Sequence, residues 1–318
     1  MFLQAVRIFN TVVMKIMFMF GTIFSKLSHV LIHPKSDFWR FWRLLTVLQT
    51  ACLFLSLLVQ RVMQPQKGRL PYLASIRRHG TREHVCTGIL VDKWVVLTAA
   101  HCVYPQSPYS AGPRPVVHIG ATSVDGRDDE VQVTMVSSTH IHERWTPALG
   151  QRSPFNVALL RLSQSSDRHV PQILTDHVGL RIGLMLYVAG WGVDPGGPKL
   201  GQSIFGTLKV EHHQFLDGTH CNRSTLWAGE IQGGLVCGLA QEGQASCIAD
   251  SGSPMMLLDM PGYDVDCGSP QLDFLVGINI DGAPCGTSAK PDIFLDLRDL
   301  APWIQQHIDV DGHHKHEL

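Results

Sequence analysis

The sequence predicts an all-β fold closed by a C-terminal helix, and three observations carry that prediction. From about residue 60 onward, short runs rich in Val, Ile and Leu are punctuated by Gly, Pro and Asp. No long stretch of helical periodicity interrupts them. Only near the end does the spacing change, at Leu297, Leu300, Ile304 and Ile308. In order, the strand-like runs are Thr87–Val91, Trp94–Ala99, Val116–Ile119, Val131–Val136, Val157–Leu162, Leu184–Ala189, Thr207–Val210 and Phe274–Ile280. Branched apolar side chains suit a pleated, half-buried surface, and runs at this spacing suggest a sandwich or barrel. The final segment, Leu297–Ile308, reads as an amphipathic helix. No internal repeat is visible.

The 318 residues suffice for one large domain plus an N-terminal appendage. With a formal net charge of -1 the chain projects no strong field. Charge therefore gives no reason to expect nucleic acid or an anionic surface as a partner. Residues 1–60 differ from the rest. An apolar stretch interrupted by Arg7, Lys15 and Lys26 leads to a basic, Trp-rich patch from Lys35 to Arg43, then to the charge-free run Leu44–Val59. That run reads as a signal-peptide core, as a short signal anchor contacting the membrane, or as a buried helix. Both targeting readings put residues 61–308 outside the cytosol, either secreted or membrane-anchored. Seven of the eight Cys lie between Cys86 and Cys285, a density that agrees with an oxidising compartment. Residues 309–318 form a polar, His-rich tail, read as a solvated tail or a metal-binding one. Its last four residues, Lys-His-Glu-Leu, look faintly like an ER-retrieval signal, although chance accounts for them as well.

Three segments carry chemistry. Trp94-Val-Val-Leu-Thr-Ala-Ala-His101-Cys102 is an apolar strand ending in small residues and a histidine. Ser153-Pro-Phe-Asn156-Val-Ala-Leu-Leu-Arg-Leu162 is a polar residue opening an apolar strand. Cys247-Ile-Ala-Asp250-Ser251-Gly252-Ser253-Pro254 places a serine in a turn of small residues. Together, in this order, they resemble the chymotrypsin-like serine proteases, whose patterns are LTAAHC, DIALL and GDSGGP. The resemblance spans roughly Arg61 to Ile308, and Gly190-Trp191-Gly192 and Trp303-Ile304 also match. It implies two packed six-stranded antiparallel β-barrels, dividing near residues 165–180, with the cleft between them. It further implies that Ser251 attacks a scissile carbonyl of a protein or peptide substrate. His101 would act as base and then acid, and the N–H groups of Ala249 and Ser251 would hold the oxyanion. No metal or organic cofactor is implied, and the sequence leaves the oligomeric state open.

The departures from the family pattern matter as much. Asn156 stands where the family has an aspartate. That carboxylate sets the imidazole tautomer and stabilises the imidazolium. The same exchange in a serine protease triad costs roughly 10⁴ in kcat, about 5 kcal/mol, a magnitude taken over from that family. Two function classes therefore stand side by side: a slow serine endopeptidase, and a protease homologue that binds proteins through its cleft. Ala249 replaces a glycine of the oxyanion hole, and Ser253 replaces a glycine outside it, a milder change. Asp250, which in the family pairs with the amino terminus freed by cleavage, is kept. The best candidate for that cleavage is Arg61-Val62. Glu143 and Asp281 are the nearest candidates for a substitute carboxylate at His101.

For the substrate pocket the resemblance indicates Ala245 at the usual floor, Asp281 and Gly282 on its wall, and Asp292 where a glycine normally lies. Two carboxylates there suggest a preference for Lys or Arg, with Asp292 as counter-charge. Alternatively, Asp292 points to solvent or blocks the pocket. The resemblance also implies disulfides Cys86–Cys102, Cys221–Cys237 and Cys247–Cys285, and leaves Cys267 without a partner. Asn222-Arg-Ser224 is a glycosylation sequon beside one of these bridges.

Overall fold

A computed structural model of the chain describes residues 62–107, 110–124, 131–175, 178–192, 206–240 and 243–313. Side chains are described as far as Ile308. The Leu44–Val59 run, Cys52, Arg61 and the end of the His-rich tail lie outside these residues. Among the described residues no helix is long and apolar enough to cross a membrane.

Fourteen strands are described. The first barrel contains β2 (Leu73–Arg77), β3 (His84–Asp92), β4 (Val95–Thr98), β5 (Val116–Ile119), β6 (Gln132–Ile141) and β7 (Ala158–Leu162). It closes in the order β2-β3-β4-β7-β6-β5, with β5 returning to β2. Closure removes every open edge, so no strand is left as a template for aggregation. The second barrel is built from β9 (Met185–Gly190), β10 (Lys209–Leu216), β11 (Leu235–Ala240), β12 (Pro254–Leu257), β13 (Phe274–Asp281) and β14 (Asp292–Asp296). It runs β10-β11-β14-β13-β12-β9 and closes through β9 and β10. Two short strands attach to it: β1 (Val62–Met63) pairs with β10, and β8 (Gln172–Ile173) runs parallel to β13. The expected architecture of two six-stranded antiparallel barrels is thus present.

A short helix, α1 (Gly218–Cys221), is capped by the Asp217 side chain, which accepts from the His220 N–H. The C-terminal helix α2 (Leu297–His313) buries Leu297, Leu300 and Ile304, the face its periodicity marks. All three expected disulfides are formed, and Cys267 is free and exposed. A buried ion pair ties the chain entering β2 to the second barrel. Both guanidinium Nη atoms of Arg69 donate to Asp273, at 2.6 and 3.0 Å, and the Tyr72 hydroxyl donates to the same carboxylate. With four donors meeting it, the Asp259 N–H being the fourth, that charge is well compensated inside the protein.

Candidate active site

His101 lies on a single 3₁₀ turn (Ala100–Cys102) that continues β4. Ala99 and Ala100 before it are fully buried, and larger side chains there would push the turn off the barrel. Asn156 is fully buried just ahead of β7. Ser251 comes from the second barrel, in the turn leading into β12. That turn is stitched to the first barrel: the Thr87 N–H donates to the Ser251 carbonyl at 2.9 Å. Gly252 makes the approach possible. Its φ is +87°, and a Cβ there would lie 1.9 Å from the Thr87 carbonyl oxygen.

The three side chains meet. Ser251 Oγ is 2.9 Å from His101 Nε2, and His101 Nδ1 faces the Asn156 amide. Which end of that amide faces the imidazole decides the chemistry. The Gln151 carbonyl, 2.7 Å away, can only be met by the Nδ2 donor. The His101 backbone N–H, 3.1 Å away, can only be met by Oδ1. With both ends pinned, the remaining Nδ2 proton points at His101 Nδ1, at 2.9 Å. Oδ1 is farther from that nitrogen, at 3.2 Å, and already has a donor. The shorter contact favours Nδ1 as acceptor, with the Nε2 proton toward Ser251. An imidazole in this tautomer has no lone pair on Nε2, the nitrogen that faces the serine hydroxyl.

Burial is the largest influence on the His101 pKa and lowers it, against a smaller opposing effect of the Asp281 charge. Burial thus favours the neutral ring. Of the two carboxylates considered as substitutes, Asp281 reaches His101 only through its field. Glu143 is turned elsewhere, toward His140, Trp303 and His307.

Behind the serine lies a second Ser–His–acid chain. Arg77 Nε donates to Ser75 Oγ at 3.0 Å, Ser75 Oγ is 2.8 Å from His84 Nδ1, and His84 Nε2 is 2.8 Å from Asp250. Asp250 also accepts from the Ser253 hydroxyl. The carboxylate is thus held from inside the fold. Val62, at the candidate cleavage point, is instead paired in β1 opposite Glu211. The Ala249 N–H, expected to face an oxyanion, donates to Ser246 Oγ at 3.1 Å. As it stands, that half of the expected oxyanion hole is turned inward.

Two closed barrels with this serine, histidine and polar third partner brought together between them define one fold family, and comparison with known proteins agrees. Residues 59–304 match the family described as Trypsin. The chain belongs to the trypsin family. Human chymotrypsin-like elastase family member 1 is 27% identical over 240 residues, 72% of this chain and 83% of the relative. Mouse kallikrein-8 is 27% identical over 229 residues, 71% and 77% of the two chains. The solved structure of neuropsin, a serine protease expressed in the limbic system of mouse brain, has the same fold. It superposes with a TM-score of 0.60 at 23% identity, covering 78% of this chain and 98% of its own.

Beside Ser251 this trypsin-family chain has a cavity of about 320 Å³, lined among others by Ser246, Asp281, Gly282 and Asp292. Asp292 is buried there and accepts from the Ser246 N–H at 2.9 Å. Burial raises its pKa to about 6, with the nearby His213 and that N–H pulling the other way. It does not point to solvent. Gly282 keeps the carboxylate open to the cavity, since a Cβ there would sit 2.6 Å from Asp292 Oδ1. Ala245 is buried but its backbone is spent pairing with Thr287 and Gly286. Ser246, the next residue, reaches the cavity and donates to Glu211.

The two expected pocket carboxylates are unequal, because Asp281 is neutralised by Arg152 at 2.5 Å. Arg152 also pairs with Glu230 and lies over the Trp227 ring. It comes from the loop between β6 and β7, and so straps one barrel to the other at the cleft. Sequence reading missed Arg152, Glu211, Ser246 and the His84 chain, none of which carries a local motif. At the sequon, Asn222 donates to the Ile231 carbonyl and accepts from its N–H.

Proposed function

We propose that the chain is a throttled serine protease. It takes protein or peptide segments into the cleft, and hydrolyses them through Ser251 and His101 far more slowly than a complete triad would. The observation that carries this reading is the pinned amide of Asn156. Ser251 and His101 keep nucleophile-and-base geometry, while the tautomer imposed on His101 withholds the base. Turnover then waits for a rare ring in the other tautomer, and the penalty is of the order of 10⁴ in kcat. Ser251 is the nucleophile, and Ala249 and Ser251 supply the oxyanion donors once the turn re-forms around a bound carbonyl. Asp292 gives the pocket its preference for Lys or Arg side chains. The three disulfides favour a secretory compartment, with Leu44–Val59 as signal or anchor.

Turnover of a mixed peptide library by the purified protein, beside Ser251→Ala and Asn156→Asp, tests the proposal. Weak cleavage abolished by Ser251→Ala and strongly raised by Asn156→Asp is the expected result. Absence of turnover in both the wild type and Asn156→Asp would overturn it in favour of a cleft used for binding alone. That second reading draws on the inward Ala249 N–H and on Asp250 held by His84.

A further inference from the structure

Away from the cleft, β6, the loop that follows it and α2 bring together His140, Glu143 and His307, whose ligand atoms all lie within 4.8 Å of one another. We propose that these three side chains bind a divalent transition-metal ion of the zinc type, with the remaining coordination position open to water.

The hydrogen bonding around the cluster is that of a ligand set. Within the α2 helix, His307 Nδ1 lies 2.8 Å from the Trp303 carbonyl, so Nδ1 carries a proton and, in the neutral ring, Nε2 presents its lone pair. That lone pair faces Glu143 Oε1 at 3.4 Å, and His140 Nε2 faces the same oxygen at 2.7 Å. Two imidazole nitrogens converging on one carboxylate oxygen need positive charge between them, which protons on the rings or one bound cation supply. Trp303 also fixes the carboxylate, donating from Nε1 to Oε2 at 3.0 Å and leaving Oε1 for the two imidazoles. One tryptophan thus orients two ligands.

Tetrahedral zinc, with bonds of about 2.0–2.1 Å, needs its ligand atoms roughly 3.3 Å apart. The His307–Glu143 spacing already satisfies this, whereas His140 Nε2 sits at hydrogen-bond distance from Oε1, 2.7 Å, and the half-exposed His140 ring would swing out by about 0.6 Å to admit the ion. His142 is not a fourth ligand. Its Nδ1 accepts from the Arg144 N–H, and its ring stacks on Trp303 at 4.7 Å, forming a wall of the site. Two imidazoles and one carboxylate select zinc, copper or nickel over calcium or magnesium. A bound ion would cross-link the C-terminal helix to the first barrel.

The test is titration of the metal-stripped full chain with Zn²⁺, and with Co²⁺ as a coloured reporter. One equivalent should bind, with visible absorption bands of tetrahedral Co²⁺. Thermal denaturation at a hundredfold excess over Kd should shift up by about 5–10 °C. His140→Ala, His307→Ala and Glu143→Gln should each abolish the bands while leaving the far-UV spectrum intact. Trp303→Phe should weaken binding by roughly 10–100-fold. Replacing His313, His314 and His316 by Ala in the full chain should change nothing. No binding at millimolar metal would mean a plain ion-pair cluster and overturn the proposal. Binding that survives His140→Ala, or that vanishes with the tail histidines, would overturn it as well.

Discussion

The molecule contains two serine–histidine chains that differ in complementary ways. Ser251–His101–Asn156 opens onto a cavity but ends in an amide. Ser75–His84–Asp250 ends in a carboxylate, but Ser75 is wholly buried and bonded to Arg77. One has access without charge, the other charge without access. Nucleophilic catalysis needs both at one serine, because the imidazole must accept a proton while the serine meets a substrate. The carboxylate chain therefore belongs to stability and the amide chain to the cleft. The two chains are joined by consecutive residues, Asp250 and Ser251, so whatever holds Asp250 also sets the conformation of the turn presenting Ser251.

This division can be broken from either side. The largest effect is expected of Asn156→Asp, which should raise Ser251-dependent turnover or fluorophosphonate labelling by roughly 10³–10⁴-fold. The gain falls toward the low end of that range because the Gln151 carbonyl, now 2.7 Å from an amide nitrogen, would face a carboxylate oxygen and must turn away. Next comes His84→Ala, which strips a largely buried carboxylate of its hydrogen-bond partner. Urea denaturation should show a loss of about 3 kcal/mol or more. His101→Ala, which removes a neutral ring from the cleft, should cost only about 1 kcal/mol. Equal losses in the two variants would erase the distinction between the chains.

A smaller effect concerns Asp292. Its pKa is raised by burial to about 6, so between roughly pH 4 and 6 the folded chain binds more protons than the unfolded one. The stability this proton contributes is full below the unfolded value and is lost as pH rises through about 6. Asp292→Asn should flatten that part of the stability–pH curve. Binding of a small guanidinium or amidinium compound should strengthen as pH rises through the same window, and lose that dependence in Asp292→Asn. Arg152→Ala should give the smallest change, a severalfold shift in peptide affinity, read by fluorescence anisotropy, as Asp281 is released from its ion pair.

Local pattern made some of this legible in the sequence. The apolar strand ending in Ala-Ala-His101, the small-residue turn around Ser251 and the polar residue opening β7 mark the site because each is a local geometry with few alternatives. Strands with apolar centres were readable for the same reason. β2, β11, β12 and β14 were not. Their neighbours give no alternation: β2 and β14 are buried on both faces, and β12 opens on a proline. The second half of β6, from Ser137 to His140, is polar and held by ladder hydrogen bonds rather than by burial, so composition hides it. The exchange of Asp for Asn was visible, but its consequence was not. That consequence depends on the Gln151 carbonyl and the His101 N–H, backbone groups whose positions only the folded loop defines. His84 and Arg152 were invisible for a related reason, since their partners lie 166 and 129 residues away.

The tautomer of His101 is the most direct test of the account. Nitrogen-15 NMR of the histidine-labelled protein near pH 7, with His101 assigned by comparison with His101→Gln, distinguishes a protonated Nδ1 from a protonated Nε2. A proton on Nε2 and a bare Nδ1 in the wild type, reversed in Asn156→Asp, is the predicted result. A wild-type ring already protonated on Nδ1 would mean that Asn156 presents its oxygen to the imidazole, and that the triad is not held back there.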